Sequence, residues 1–248
     1  MKTINLVLFI ALELIFFSCK KKIDNVMRTS EIKIGDYSNM IINYYDITLI
    51  GEYNAPKYFN IDLDNDGNDD IQFMSELWGS PAVGQNPKST IKSLSNNVQI
   101  YGFQSNDTSF LNRDTSIYTG ANNIIEIYYR FNYTCHQIDK NDSILKITPT
   151  FKLTPLDKCE ILQVNDTYNS NTITLIDDWY SLPPSYNEIN SDTTIIEYTT
   201  FYNDCNDFPL DEIKYIGVRF KNDSRLGWIK LSVFDQYKIL ILESGIQE

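Results

Sequence analysis

Asp62-Leu63-Asp64-Asn65-Asp66-Gly67-Asn68-Asp69-Asp70 is the one stretch of this 248-residue chain in which carboxylates recur at alternate positions around a glycine. With Asp62 counted as position 1, side-chain carboxylates fall at positions 1, 3, 5 and 9. Gly67 stands at position 6, where a sharp turn needs it, and the Asn68 carbonyl follows at position 7. A loop that curls round a hard divalent cation presents its oxygens in this way. Ca2+ takes about six to eight of them, and alternate side chains plus one main-chain carbonyl supply most of that shell. Left without a cation, carboxylates this close repel one another. A solvated Asp/Asn/Gly turn is the plain alternative, but such a turn does not need alternating acids over its whole length. The expected metal ligands are Asp62, Asp64, Asp66, Asp70 and the Asn68 carbonyl, around one Ca2+ in a structural role.

The flanks indicate what holds the loop. Lys57-Tyr58-Phe59-Asn60-Ile61 and Ile71-Gln72-Phe73-Met74 alternate as strands do, with Phe59, Ile61 and Leu63 on one face, so a calcium-stapled β-hairpin is expected. The loop resembles the calcium loops of EF-hand, dockerin and thrombospondin type 3 modules. It departs from the EF-hand form at position 12, where Phe73 replaces the bidentate Glu. Its strand-like flanks make it more similar to the strand-loop-strand calcium loops of integrin-like propeller repeats, although a propeller repeats its unit and Asp-x-Asp-x-Asp-Gly occurs here once. Taken with Tyr215, Gly217, Arg219 and Phe220 and with Gly227-Trp228-Ile229-Lys230-Leu231, the loop resembles a group of secreted β proteins of Bacteroidota and related bacteria. The likeness covers roughly residues 57–73 and 213–243 and implies a fold more than an activity.

Elsewhere, short alternating or apolar runs are separated by Asn, Asp, Ser, Pro and Gly. Strands are expected at Ile32–Ile34, Ile41–Ile50, Lys57–Leu63, Asp70–Met74, Val98–Phe103 and Ile124–Tyr133. Six more are expected at Ile144–Leu153, Thr172–Ile176, Thr194–Thr199, Ile213–Phe220, Trp228–Val233 and Tyr237–Leu242. No window of helical length carries a 3.6-residue apolar period, so the fold class is all-β, an antiparallel β-sandwich or open barrel. The last three runs read as a meander, with Ile216, Val218 and Phe220 facing Ile229, Leu231 and Val233 on the inner side. Gly217 and Gly227 are placed for close packing beneath Trp228, which covers its neighbours on the sheet. The stretch from Gly79 through Pro81 and Pro87 to Thr90 reads as a loop.

The N-terminus carries the second chemical signal. Met1-Lys2 leads into an apolar run from Ile4 to Phe17, and Ser18-Cys19-Lys20-Lys21-Lys22 follows. A positive start, a short apolar core and a small residue before the processing point make an export signal. The run is too short for a membrane span and is interrupted by Glu13. Phe16-Phe17-Ser18-Cys19 resembles a bacterial lipoprotein signal of the Bacteroidota style, which implies that Cys19 becomes the fatty-acylated first residue. Residues 1–18 then form the signal peptide, 19–30 the lipidated cysteine and a polar linker, and 31–248 a single β domain. In that family an acidic cluster after the cysteine directs some members to the cell surface. Lysines stand there instead, so the periplasmic face of the outer membrane is expected, with the lysines against anionic headgroups.

Composition removes several function classes. Hydrophobic residues are 42% and aromatics 13%, including 17 Tyr and 13 Phe, which is ample for a packed core. The net charge of -12 has the wrong sign for binding a phosphate backbone, so nucleic acid is not an expected partner. Cys135, Cys159 and Cys205 remain after Cys19 is assigned to lipid. In an oxidising compartment one disulfide and one free thiol are expected, and sequence does not choose among the three pairings. No Cys-x-x-Cys occurs, and the only histidine, His136, has no metal-ligand cluster around it. No catalytic residue is assigned. The reading is a non-enzymatic, lipid-anchored envelope protein whose partners are the membrane and a glycan or envelope protein. The alternative is a carbohydrate-binding or polysaccharide-processing lipoprotein, in which Asp177-Asp178-Trp179-Tyr180 and Thr199-Thr200-Phe201-Tyr202 line a sugar groove.

Overall fold

The computed structural model describes residues 29–80, 84–118, 123–134, 144–177, 180–181, 184–190, 193–203, 208–235 and 237–248, and among these it contains strands and turns but no helix. Cys19, Cys135, His136, Asp178, Trp179 and Cys205 lie outside the described residues. The first strands are β1 (Glu31–Lys33), β2 (Met40–Ile50), β3 (Lys57–Ile61), β4 (Ile71–Ser80), β5 (Gly84–Ser93) and β6 (Val98–Tyr118). The middle of the chain gives β7 (Asn123–Thr134), β8 (Ile144–Leu153), β9 (Pro155–Leu156), β10 (Ile161–Gln163), β11 (Tyr168–Asn169) and β12 (Ile173–Asp177). Then come β13 (Tyr180–Ser181), β14 (Ser185–Asn190), β15 (Thr193–Asn203), β16 (Ile213–Phe220), β17 (Leu226–Phe234) and β18 (Lys238–Gln247).

Three sheets result, and none closes into a barrel. The largest runs β13-β15-β7-β6-β16-β17-β18-β2, the second runs β12-β5-β4-β3, and β1 pairs with β10 alone. Inward residues of the second sheet (Ile61, Ile71, Phe73, Ile91, Ile173), joined by Leu63, meet Ile216, Val218, Ile229, Leu231, Ile239 and Ile241 of the largest in one buried cluster. The period-2 alternation of each strand supplies this shared face, and the sandwich follows from burying it. Among the described strands pairing is antiparallel except between β7 and β15, which run parallel from Asn123↔Thr193 to Tyr133↔Asn203, and isolated parallel bridges join Tyr53 to Leu77 and Leu210 to Val233.

The β16–β18 meander is buried on both faces. Its second face packs Tyr215, Leu226 and Trp228 against Ile32, Ile34 and Leu162 of β1, β10 and their neighbours. That third layer covers Leu226 and Trp228, so β17 is buried on both faces. Trp228 is fully buried, edge-on to Tyr37 at 5.7 Å and to Tyr215 at 5.5 Å, so it is a core residue. The close approach beneath its ring is made by Gly245, which sequence did not single out. A Cβ there would lie 2.8 Å from Trp228 Cζ2 and 2.9 Å from Ile42 Cδ1.

Besides β10 and β14, which no expected strand covers, two long stretches differ from expectation. Gly79 and Ser80, and residues 84–90, are strand rather than loop, with β4 and β5 in register up to Ser80↔Gly84, and residues 81–83 lie outside the described residues. The β12 ladder stops at Lys88, so Pro87 falls where β5 has only β4 as its described partner and a missing N–H is tolerated. β6 continues fifteen residues beyond Phe103, through Gln104 to Tyr118. That segment is too polar to show an apolar alternation, and main-chain pairing with β8 at Gly102–Phe110 and with β7 at Thr108–Tyr118 holds it extended. Gly245→Ala should cost roughly 1–3 kcal/mol through overpacking against Trp228, read as a lowered urea midpoint with an unchanged slope. An unchanged midpoint would show that the contact has room to spare.

Candidate metal site

The acidic loop closes the β3–β4 hairpin, whose ladder ends at Ile61↔Ile71. Asp70 N–H donates to the Ile61 carbonyl at 2.8 Å, so the two ends are joined directly. Leu63 and Phe73 are both fully buried on the core side. Asn65 and Gly67 take left-handed backbone, with φ of 59° and 90°. Asn tolerates that region, and Gly67 has open space around it, so the need there is for conformation rather than room. The Asp62 carboxylate accepts the N–H groups of Asp66 (3.3 Å) and Gly67 (2.8 Å), which folds the loop back over its own first residue.

Asp62, Asp64 and Asp70 converge: one carboxylate oxygen from each lies within 4.8 Å of the others. Asp70 Oδ2 accepts the Leu63 N–H at 2.9 Å. Asp64 Oδ2 takes the Arg225 guanidinium at 2.6 Å, while its Oδ1 is buried without a hydrogen-bond partner. Burial pushes the Asp70 carboxyl up to about 6, and the charges of Asp64, Asp62 and Asp66 push the same way against the opposing Leu63 N–H. Asp66, the fourth expected carboxylate, is not in this group. Its Oδ1 accepts the Asn68 N–H at 2.8 Å and the Asn68 side-chain amide at 3.1 Å. Position 12, Phe73, is a core residue.

Sequence reasoning missed two residues of the site. Asn43 on β2 donates its amide to the carbonyls of Asp62 and Leu63, both at 3.2 Å, and accepts from Asn65 at 3.0 Å. Arg225 ends the β16–β17 turn, pairs with Asp223 at 2.6 Å and lies over the Phe220 ring at 4.4 Å before reaching Asp64. No local signal ties either residue to the loop, since Arg225 is 161 positions away from Asp64.

The other candidates are placed as follows. Tyr180 on β13 pairs with Phe201 on β15, and Ser181 with Thr200; Asp178 and Trp179 lie outside the described residues. Cys159 is exposed and free, in left-handed backbone with φ of 78°. Glu243 is buried and accepts from Lys230 at 2.9 Å and from Tyr37 at 2.8 Å, which satisfies it within the third layer. No protein-family model matches this chain, and comparison with curated proteins and with solved structures returns no match.

Asp70 sets a pH dependence whose sign is opposite to that of an ordinary paired carboxylate. Its folded value lies above the usual 3.8, so between 3.8 and about 6 the metal-free folded protein holds a proton that the unfolded chain has released. The ionised group therefore opposes folding at pH 7, and that opposition is relieved as pH falls through about 6 toward 4. In EDTA, Asp70→Asn should be more stable than wild type at pH 7, and the gap should narrow by pH 5. Melts that differ by the same amount at both pH values would contradict this.

Proposed function

We propose that this chain is a lipid-anchored envelope protein whose β domain carries one structural Ca2+ and performs no chemistry. Asp62, Asp64 and Asp70 hold the ion, with Asp66 and the Asn68 carbonyl drawn in to complete the shell. The observation that carries this reading is the Asp64 Oδ1 atom, buried and partnerless beside two further carboxylates. A buried carboxylate oxygen without a donor is costly, and a cation relieves it. Charge supports a divalent ion: three carboxylates set against the Arg225 guanidinium leave two negative charges in the group.

An ion that binds only the folded state stabilises it by about 2.7 kcal/mol at a hundredfold excess over its dissociation constant. Thermal melts in EDTA and in millimolar calcium should therefore separate for wild type, and Asp62→Ala or Asp66→Ala should erase most of the separation. Superimposable wild-type curves would return the loop to a solvated acidic turn.

The anchor rests on sequence. Cys19 ends the apolar run after Ser18 and precedes three lysines, the pattern of a lipoprotein signal, and it points to the periplasmic face of the outer membrane. Fatty-acid labelling of the exported protein should be lost in Cys19→Ser. Equal labelling of both, or a mature N-terminus elsewhere, would refute the anchor.

A further inference from the structure

We propose that Arg225 sets the ion charge for which the acidic loop is selective, favouring a divalent over a trivalent cation. This rests on the calcium reading and names the residue that gives that site its specificity. It starts from the two oxygens of one carboxylate. Asp64 Oδ2 takes the Arg225 guanidinium at 2.6 Å, whereas Oδ1 is buried without a hydrogen-bond partner. The Asp62 and Asp70 carboxylates converge on the same group. The Asp64 side chain is 11% exposed and that of Arg225 15%, so solvent screens neither charge well. A cation on Oδ1 and the guanidinium on Oδ2 would share one carboxylate from opposite sides, about 6 Å apart.

The β16–β17 turn fixes the guanidinium in that place. The Phe220 N–H donates to the Arg225 carbonyl at 2.8 Å and closes the turn, within which Ser224 takes left-handed backbone with φ of 61°. Arg225 N–H donates to Asp223 Oδ1 at 3.2 Å, and its Nε donates to Asp223 Oδ2 at 2.6 Å. The guanidinium lies over the Phe220 ring at 4.4 Å. On the other side, the Leu226 N–H donates to Gln247 Oε1 at 2.8 Å. A guanidinium is planar and keeps its charge across the working pH range, so these contacts hold a permanent positive charge at a set position.

Two effects follow, and they depend differently on the ion. By holding Oδ2, Arg225 orients Asp64 and helps any cation alike. By its charge it repels the cation, in proportion to the charge that cation carries. Each added unit of ion charge at about 6 Å costs on the order of tenfold to a hundredfold in affinity, for effective dielectrics of about 40 and 20. Asp223 offsets part of the same guanidinium, so neutralising Asp223 acts in the opposite sense to neutralising Arg225.

EDTA-stripped, desalted full-length protein should be titrated calorimetrically with Ca2+ and, separately, with Tb3+. The ratio of the two affinities is then compared among wild type, Arg225→Gln, Arg225→Lys and Asp223→Asn. Arg225→Gln should raise the Tb3+ to Ca2+ ratio by about tenfold or more, Arg225→Lys should leave it near the wild-type value, and Asp223→Asn should lower it. A purely structural Arg225 would weaken both ions together and leave the ratio unchanged in Arg225→Gln. That result, or a ratio raised equally in Arg225→Lys, would overturn the proposal. Where Arg225→Gln fails to fold or binds neither ion, Asp223→Asn decides: a lowered ratio supports the assignment, and an unchanged or raised one overturns it. Absence of Ca2+ binding to wild type would remove the calcium reading itself, and the selectivity with it.

Discussion

Burial of Leu63 and Phe73 holds three carboxylates closer together than they would choose to be. Both side chains are sealed into the sandwich core on either side of the loop, and Ile61 and Ile71 continue the same anchoring along β3 and β4. Burying a side chain of this size contributes about 1.5–3 kcal/mol. Two unit charges about 4.8 Å apart repel by on the order of 3 kcal/mol at an effective dielectric of about 20. The four apolar anchors are therefore of the right size to keep Asp62, Asp64 and Asp70 together without an ion. The Asp70 carboxyl is raised first by its burial and, less, by the charges of Asp64, Asp62 and Asp66.

The site also joins the two layers. Asp64 belongs to the hairpin of the four-stranded sheet, Arg225 to the β16–β17 turn and Asn43 to β2 of the large sheet. Arg225 is preset for its contact by Asp223 and by stacking over Phe220, so little side-chain freedom is lost when it meets Asp64. Its charge offsets one carboxylate and leaves room for a divalent ion. Calcium bound there would bridge a loop that is already tied to both sheets.

The all-β class, the β3–β4 hairpin around the acidic loop and the C-terminal meander were legible because each depends on local spacing. The meander's inner face, Ile216, Val218, Ile229, Leu231 and Val233, is buried as the period-2 pattern requires. What escaped reading depends on partners far along the chain. The polar half of β6 has no apolar face of its own and is extended because β7 and β8 pair with it. Pro87 concealed the strand β5, since a proline signals a break unless the neighbouring ladder is known to stop. Gly245 looked like any glycine until Trp228 was seen above it. At the site, Asp62, Asp64 and Asp70 were recovered from their spacing, whereas Asn43 and Arg225 carry no mark that ties them to the loop.

The buried, partnerless oxygen of Asp64 is where the calcium reading meets the structure most directly. Calorimetric titration of calcium into EDTA-stripped protein should give one site per chain for wild type. Asp64→Asn removes the charge while keeping a side chain that Arg225 can still donate to, and it should lose that binding while still folding. No heat with wild type, or an equal affinity in the variant, would contradict a Ca2+ ion held through Asp64.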